Sequence, residues 1–176
     1  MYETADELHD LQTLLDTSLP RSSEHLRSIV TPGERTLTAS QLTSVLTGMC
    51  TLSVATVTAR GEPRISGLDG HFLHGRWVFS TAGTAVKVRH LRALPAVSVA
   101  HLRGDDLGVF VHGTAEFVPQ DHPDWRAIED HLAAHYGSSP TSWGDDIVYL
   151  RVAPHWMVAY AFQPAKLLAD VANGDA

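Results

Sequence analysis

The chain has 176 residues, enough for one well-buried domain and short for two. A hydrophobic fraction of 44% and a charged fraction of 19% fit an ordinary globular protein, and no window approaches the roughly 18 to 20 uninterrupted apolar residues of a membrane span. The formal net charge of -7 argues against a broad nucleic-acid-binding surface, which needs a net basic face.

The opening MYETADELHD is acidic and lacks the basic and apolar regions of a secretory signal. Leu8, Leu11, Leu14 and Leu15 recur at helical spacing and predict an amphipathic helix over Glu3–Ser18. Pro20, Pro32 and Gly33 bound a polar segment read as a linker, so residues 1–36 form a helical extension and residues 37–176 the main domain. A short helix is expected over Ser40–Gly48, with Thr38 or Ser40 as its N-cap and Leu42, Val45, Leu46 and Met49 inward. Cys50, the single cysteine, excludes an intrachain disulfide, reads as core and fits a reducing, cytoplasmic setting.

From Thr51 the period changes to two. Strands are expected at Thr51–Thr58, Arg64–Phe72 and Trp77–Thr81, with turns at Ala59–Glu62 and His74–Gly75. A helix follows over Ala85–Leu94, ending before Pro95, with Val86, His90, Leu91 and Leu94 on one face. Strands at Val97–Leu102 and Val109–Val118 flank a Gly104-Asp105-Asp106 turn. Pro123–Tyr136 reads as a helix capped by Asp121 or His122, closed by Gly137, with Trp125, Ile128, Leu132 and Tyr136 as its buried stripe. Two last strands fit Ile147–Val152 and Trp156–Phe162. Mostly short-linked strands with helices at the margins make the chain mainly β with helical insertions (α+β), an antiparallel barrel whose chemistry belongs at a seam or mouth.

The informative segment is the strand-to-helix junction FSTAGTAVKVRHLRALP, Phe79–Pro95. Ser80 and Thr81 offer hydroxyls beside a loop of small residues. That loop opens a helix whose first N–H groups and dipole favour an anion, and Lys87 adds a full charge in the first turn. Arg89, two residues on, points elsewhere on an ideal helix. Basic residues also gather nearby: Arg64, Arg76, Lys87, Arg89, Arg92 and Arg103 face only Asp69 between Pro63 and Gly104. Such an island suits a compact anion, a terminal phosphate above all. The competing reading has Thr84 capping the helix and Lys87 solvated.

This junction resembles the flavin-phosphate motif of the pyridoxamine 5′-phosphate oxidase-like split barrels, a superfamily that includes deazaflavin-dependent reductases. Thr81, Lys87 and Pro95 fall at the family spacing, Gly113-Thr114-Ala115-Glu116 resembles the Gly-x-Ala-Glu step of a following strand, and Arg64 matches a strand arginine near the phosphate. The resemblance covers about Thr51 to Phe117. It implies an antiparallel FMN-binding-type split β-barrel, a homodimer with the cofactor groove between subunits, and hydride or electron transfer to a small molecule. The cofactor-binding residues would be Arg64, Ser80, Thr81, Lys87 and Arg89, and the cofactor FMN or the deazaflavin coenzyme F420. No catalytic acid or base and no metal site are assigned.

The sequence also departs from the family. Ala85 and Val86 replace a serine and an arginine, Asp69 a lysine and Gly108 a flavin-contacting glutamine. The C-terminal FQPAKLLADVANGDA lacks the substrate-binding arginine of true pyridoxamine phosphate oxidases, so that activity is not expected. The alternative is a split barrel that binds a flavin, haem or another anionic small molecule without catalysis. Of the histidines, His131 and His135 read as solvated on a helix, His71 and His74 as hairpin residues, His112 as a hydrogen-bonded barrel residue, and His101 as a possible lining of the cofactor seam.

Overall fold

The computed structural model describes residues 2–174. The N-terminal helix α1 spans Ala5–Ser18 and opens on a capping box: Thr4 Oγ1 accepts from the Glu7 N–H, and the Glu7 carboxylate accepts from the Thr4 N–H. The expected linker contains a further helix, α2 (Glu24–Ile29), capped by Ser23. Helix α3 (Ala39–Val45) repeats the capping box with Thr38 and Gln41. It ends earlier than the spacing predicts, so Met49 is exposed at the start of a strand rather than packed inward.

Six antiparallel strands form the barrel: β1 (Met49–Val57), β2 (Pro63–Leu73), β3 (Arg76–Ala82), β4 (Ala96–Arg103), β5 (Leu107–Val118) and β6 (Ile147–Ala161). Their order around the barrel is β1-β2-β3-β6-β5-β4, with β4 closing on β1. This is the α+β split-barrel architecture that the sequence predicts. Alternation places Cys50, Leu52, Val54, Phe72, Trp77, Phe79, Val99, Val111 and Leu150 in one interior core. The β2–β3 hairpin turns on His74 and Gly75, both at positive φ (53° and 71°), as a two-residue turn between twisted strands requires.

The two C-terminal strands expected on either side of Pro154 are one strand, β6. The pairing register with β5 shifts between His112, opposite Trp156, and Gly113, opposite Pro154. The extra residue is His155, and the bulge lets the ladder pass a proline that cannot donate to it. The C-terminal stretch forms a helix, α6 (Pro164–Asn173), whose Leu167 is buried in the core; residues 175 and 176 lie outside the described residues.

The remaining helices cover the barrel. Helix α4 (Val86–Ala93) buries Val88 and Leu91, while Val86 and Leu94, expected inward, are exposed. Helix α5 (Trp125–Tyr136) lays Ile128 and Leu132 on the outward side chains Leu73, Val78 and Tyr149. Its N-cap is Asp124, not Asp121 or His122. Helix α1 packs Leu11 and Leu15 into the main core, and the Ser18 hydroxyl accepts the buried Met157 N–H at 3.0 Å. No helix among the described residues is long and apolar enough to cross a membrane.

Candidate functional site at the barrel split

The barrel is held unevenly. Strand β2 pairs with β1 from Pro63 to His71, but with β3 only at His71–Val78, Phe72–Trp77 and Leu73–Arg76. Beyond Val78, β3 runs with β6 from Phe79 to Ala82 instead. The β2 edge up to Gly70 and the β3 edge from Phe79 therefore diverge. That gap is the split, and the β3–α4 turn lies at its mouth.

At this turn Lys87 Nζ donates to Thr81 Oγ1 at 3.3 Å, and both residues are half-buried. Ser80 is half-buried on the same strand, pointing to the opposite side of the sheet. Thr84 does not cap the helix. The N-cap is Ala85, with no side-chain hydrogen bond, which leaves the first α4 N–H groups free of side-chain partners. His90 Nδ1 and the buried Thr56 hydroxyl, 3.0 Å apart, anchor α4 to β1. Gly83 gives its N–H to the Asp146 carbonyl, and a Cβ there would overlap the Asp146 carboxylate, so the turn sits close against the chain entering β6.

The other candidates are placed differently. Arg64 lies exposed on β2, its guanidinium drawn to Glu62 at 2.7 Å and to the Pro63 carbonyl at 3.0 Å. Arg89 is exposed on α4. Asp69 is exposed on the outer face of β2 and makes no ion pair among the described residues; its charge adds to burial in raising the Tyr136 pKa. So Thr81, Lys87 and the helix start converge. Arg64 and Arg89 do not join them.

The outer sheet face beside the split is bare. Phe110, Ala100, Ser53 and Gly67 stand opposite one another across β5, β4, β1 and β2, and His112, Ser98, Ala55 and Ile65 form the next row. Met49, Ile65, Leu102 and Phe110 are 42%, 74%, 59% and 36% exposed. Small residues in the middle and apolar ones at the margin leave a surface on which another sheet can lie close.

The histidines depart most from their sequence reading. His71 is buried in β2, with Nδ1 3.0 Å from His131 Nε2 and Nε2 3.1 Å from the Tyr136 hydroxyl. His131 is therefore a hydrogen-bonded partner rather than a solvated residue, while His135 is exposed and edge-on to His71. His101 is buried in the barrel and holds the Thr51 carbonyl of β1 at 3.0 Å. His112 bonds Ser98 at 2.8 Å on the outer face and stacks on Trp156. The His71 cluster joins residues 60 and 65 positions apart, which no local pattern signals. Glu129, also buried, accepts from the Tyr149 hydroxyl and from Ser139, tying α5 to β6 and to the short turn Pro140–Trp143. Among the described residues no three His, Cys, Asp or Glu side chains gather as a metal site.

Comparison with known proteins agrees with the barrel fold. Among solved structures, a haem storage protein from Vibrio cholerae matches with TM-score 0.59 and 18% identity, over 69% of this chain and 93% of that one. A FAD-binding protein from Mesorhizobium loti matches with TM-score 0.57 and 24% identity, over 72% and 94%. An F420 reductase matches with TM-score 0.53 and 23% identity, over 65% and 93%. At these identities the likeness is one of fold. No curated protein matches the chain in sequence. The family model of pyridoxamine 5′-phosphate oxidase matches residues 40–159, from α3 to the end of the barrel, and the chain belongs to that family.

Proposed function

We propose that the protein is a homodimeric, cytoplasmic oxidoreductase that reduces or oxidises a small molecule through bound FMN or the deazaflavin coenzyme F420. The observation that carries this reading is the Lys87–Thr81 contact at the mouth of the split, beside a helix start with no side-chain cap. An ammonium, a hydroxyl and free backbone N–H groups are a donor set for a terminal phosphate. Thr81, Lys87 and the first turn of α4 would hold it, with Ser80 nearby; Arg64 would join by leaving Glu62, a surface pair of small net worth. When bound, a flavin or deazaflavin ring supplies the hydride chemistry. The chain's part is to bind, orient and exclude water. The bare outer face supports a second copy as the other wall of the groove. The solved F420 reductase and FAD-binding protein of like fold support a ring of this class.

A second reading, the same barrel holding haem or another anionic small molecule without catalysis, is favoured by Ala85 and Val86. They leave the cradle with one cation where the family pattern carries an arginine as well. A haem storage protein shares the fold. The absorption spectrum of the purified protein and titration with each cofactor separate the two. A flavin or deazaflavin band that bleaches with reductant and returns with an acceptor supports the oxidoreductase. A Soret band supports the haem reading. A colourless protein that binds neither FMN nor F420 ends the redox proposal.

A further inference from the structure

Reduction of an organic substrate by hydride creates a centre that must also gain a proton. The chain contains a three-residue path for one, outside the phosphate cradle. His71, 1% exposed, is its middle, hydrogen-bonded to His131 on one side and to Tyr136 on the other. The two ends open to different places. His131 lines a pocket of about 570 Å³ between α1, the β2–β3 hairpin and α5, together with Leu11, His74, Arg76 and Ile128. Tyr136 ends α5 near Asp69, on the open outer face of β2. Its ring meets that of Trp143 edge-on, with 5.0 Å between centroids. From Trp143 the chain runs to Asp146, which receives the Gly83 N–H of the β3–α4 turn. Tyr136 thus stands where β2 and β3 part, bonded to His71, the last β2 residue paired with β3, while His131 lines a separate solvent pocket.

We propose that His131, His71 and Tyr136 form a proton relay, with Tyr136 as the catalytic donor to a substrate reduced at the split; this rests on the redox function proposed above. In the delivering state His131 Nε2–H donates to His71 Nδ1, and His71 Nε2–H donates to the Tyr136 oxygen. The tyrosine O–H is then free to face the substrate. The substrate gains a hydride from the reduced flavin-class cofactor and the proton of Tyr136. The phenolate takes the proton of His71 Nε2, His71 takes that of His131 Nε2 at its Nδ1, and His131 takes one from pocket water at its own Nδ1. No charge stays on the chain.

The surroundings suit these roles. Burial, with the charges of His131 and His135, pushes the His71 pKa down to about 4, so the ring is neutral and can both donate and accept. Burial and the Asp69 charge push Tyr136 up, so it holds its proton at neutral pH. The groups around the path are Asp69 on β2, His135 on α5, Tyr2, whose ring meets His131 edge-on, and, lining the His131 pocket, Glu7, Asp10, His74, Arg76, Asp124 and Arg151. A purely structural tie between α5 and β2 would need the hydrogen bonds but no proton movement.

Tyr136→Phe keeps the ring and its packing and removes only the hydroxyl. The test is single-turnover oxidation of the reduced, FMN- or F420-loaded protein by menadione, a quinone that takes up a hydride and a proton. The rate should fall on the order of 100-fold in Tyr136→Phe, and the solvent deuterium isotope effect of the native protein should vanish. His131→Gln should slow the reaction roughly tenfold, with added imidazole restoring it. A Tyr136→Phe rate within about twofold of native overturns the relay, given the size of general-acid effects. Imidazole nitrogen NMR of the cofactor-free protein gives a second readout. It should show His71 as a neutral Nε2–H tautomer that resists protonation at mildly acidic pH; titration at the ordinary histidine value overturns the relay. Native protein that binds neither cofactor overturns the redox function and the relay together. Cofactor binding with an unimpaired Tyr136→Phe variant overturns the relay alone.

Discussion

Lys87 and Thr81 stand six residues apart in the sequence and 3.3 Å apart in space, joined across the turn that carries β3 into α4. The contact is half-buried and points two donors at the same place. An anion bound there would accept from both and meet the start of the helix as well.

Removing that ammonium should weaken cofactor binding selectively. A hydrogen bond to a charged group contributes about 1.5 to 3 kcal/mol, so Lys87→Ala should raise the FMN or F420 dissociation constant roughly 10- to 100-fold. Lys87→Arg should retain most of the affinity, and the melting temperature should change little in either variant. Fluorescence titration measures the effect. Unchanged affinity in Lys87→Ala would remove Lys87 from the site.

The outer face predicts assembly. Leu102, 59% exposed, lies on β4 beside the rows of small residues that a second sheet would cover. A charge buried there without a partner is strongly unfavourable. Light scattering should find the native protein dimeric and Leu102→Glu monomeric, with cofactor binding abolished at the same time. A fully monomeric native protein that still binds cofactor would contradict the two-subunit groove.

Gly113 is required by packing rather than by chemistry. It faces Pro154 at the β5–β6 bulge, and a Cβ there would overlap the Ala153 carbonyl oxygen, a backbone atom with little room to move. Gly113→Ala should destabilise the fold by about 1 to 3 kcal/mol, the usual cost of overpacking. Urea unfolding should show this as a lower midpoint with an unchanged slope.

His71 makes stability depend on pH. Its folded pKa, about 4, lies below the ordinary value of 6.5, so between those values the unfolded chain binds a proton that the folded chain refuses. Stability from this group is therefore complete above pH 6.5 and is lost as the pH falls toward 4. The loss should amount to about 2.5 kcal/mol between roughly pH 7.5 and 4.5. Urea unfolding across that range measures it, and the dependence should flatten in His71→Gln whatever that variant's absolute stability.

What the sequence determined by itself is local. Period-two alternation in Thr51–Thr58 made β1 legible, the spacing of Leu8, Leu11, Leu14 and Leu15 did the same for α1, and the junction from Phe79 to Pro95 could be read because strand, turn and helix are contiguous there. Only the tertiary structure decided which strands part. The split exists because β3 leaves β2 after Val78 for a β6 partner some 70 residues downstream, a choice made by long-range burial. The same holds for Ser18 with Met157, for His71 between His131 and Tyr136, and for β6 passing Pro154 on its own bulge against β5. Periodicity records which face of an element is apolar. It carries no record of what that face or edge will meet, because pairing energy is realised only when distant segments close on one another.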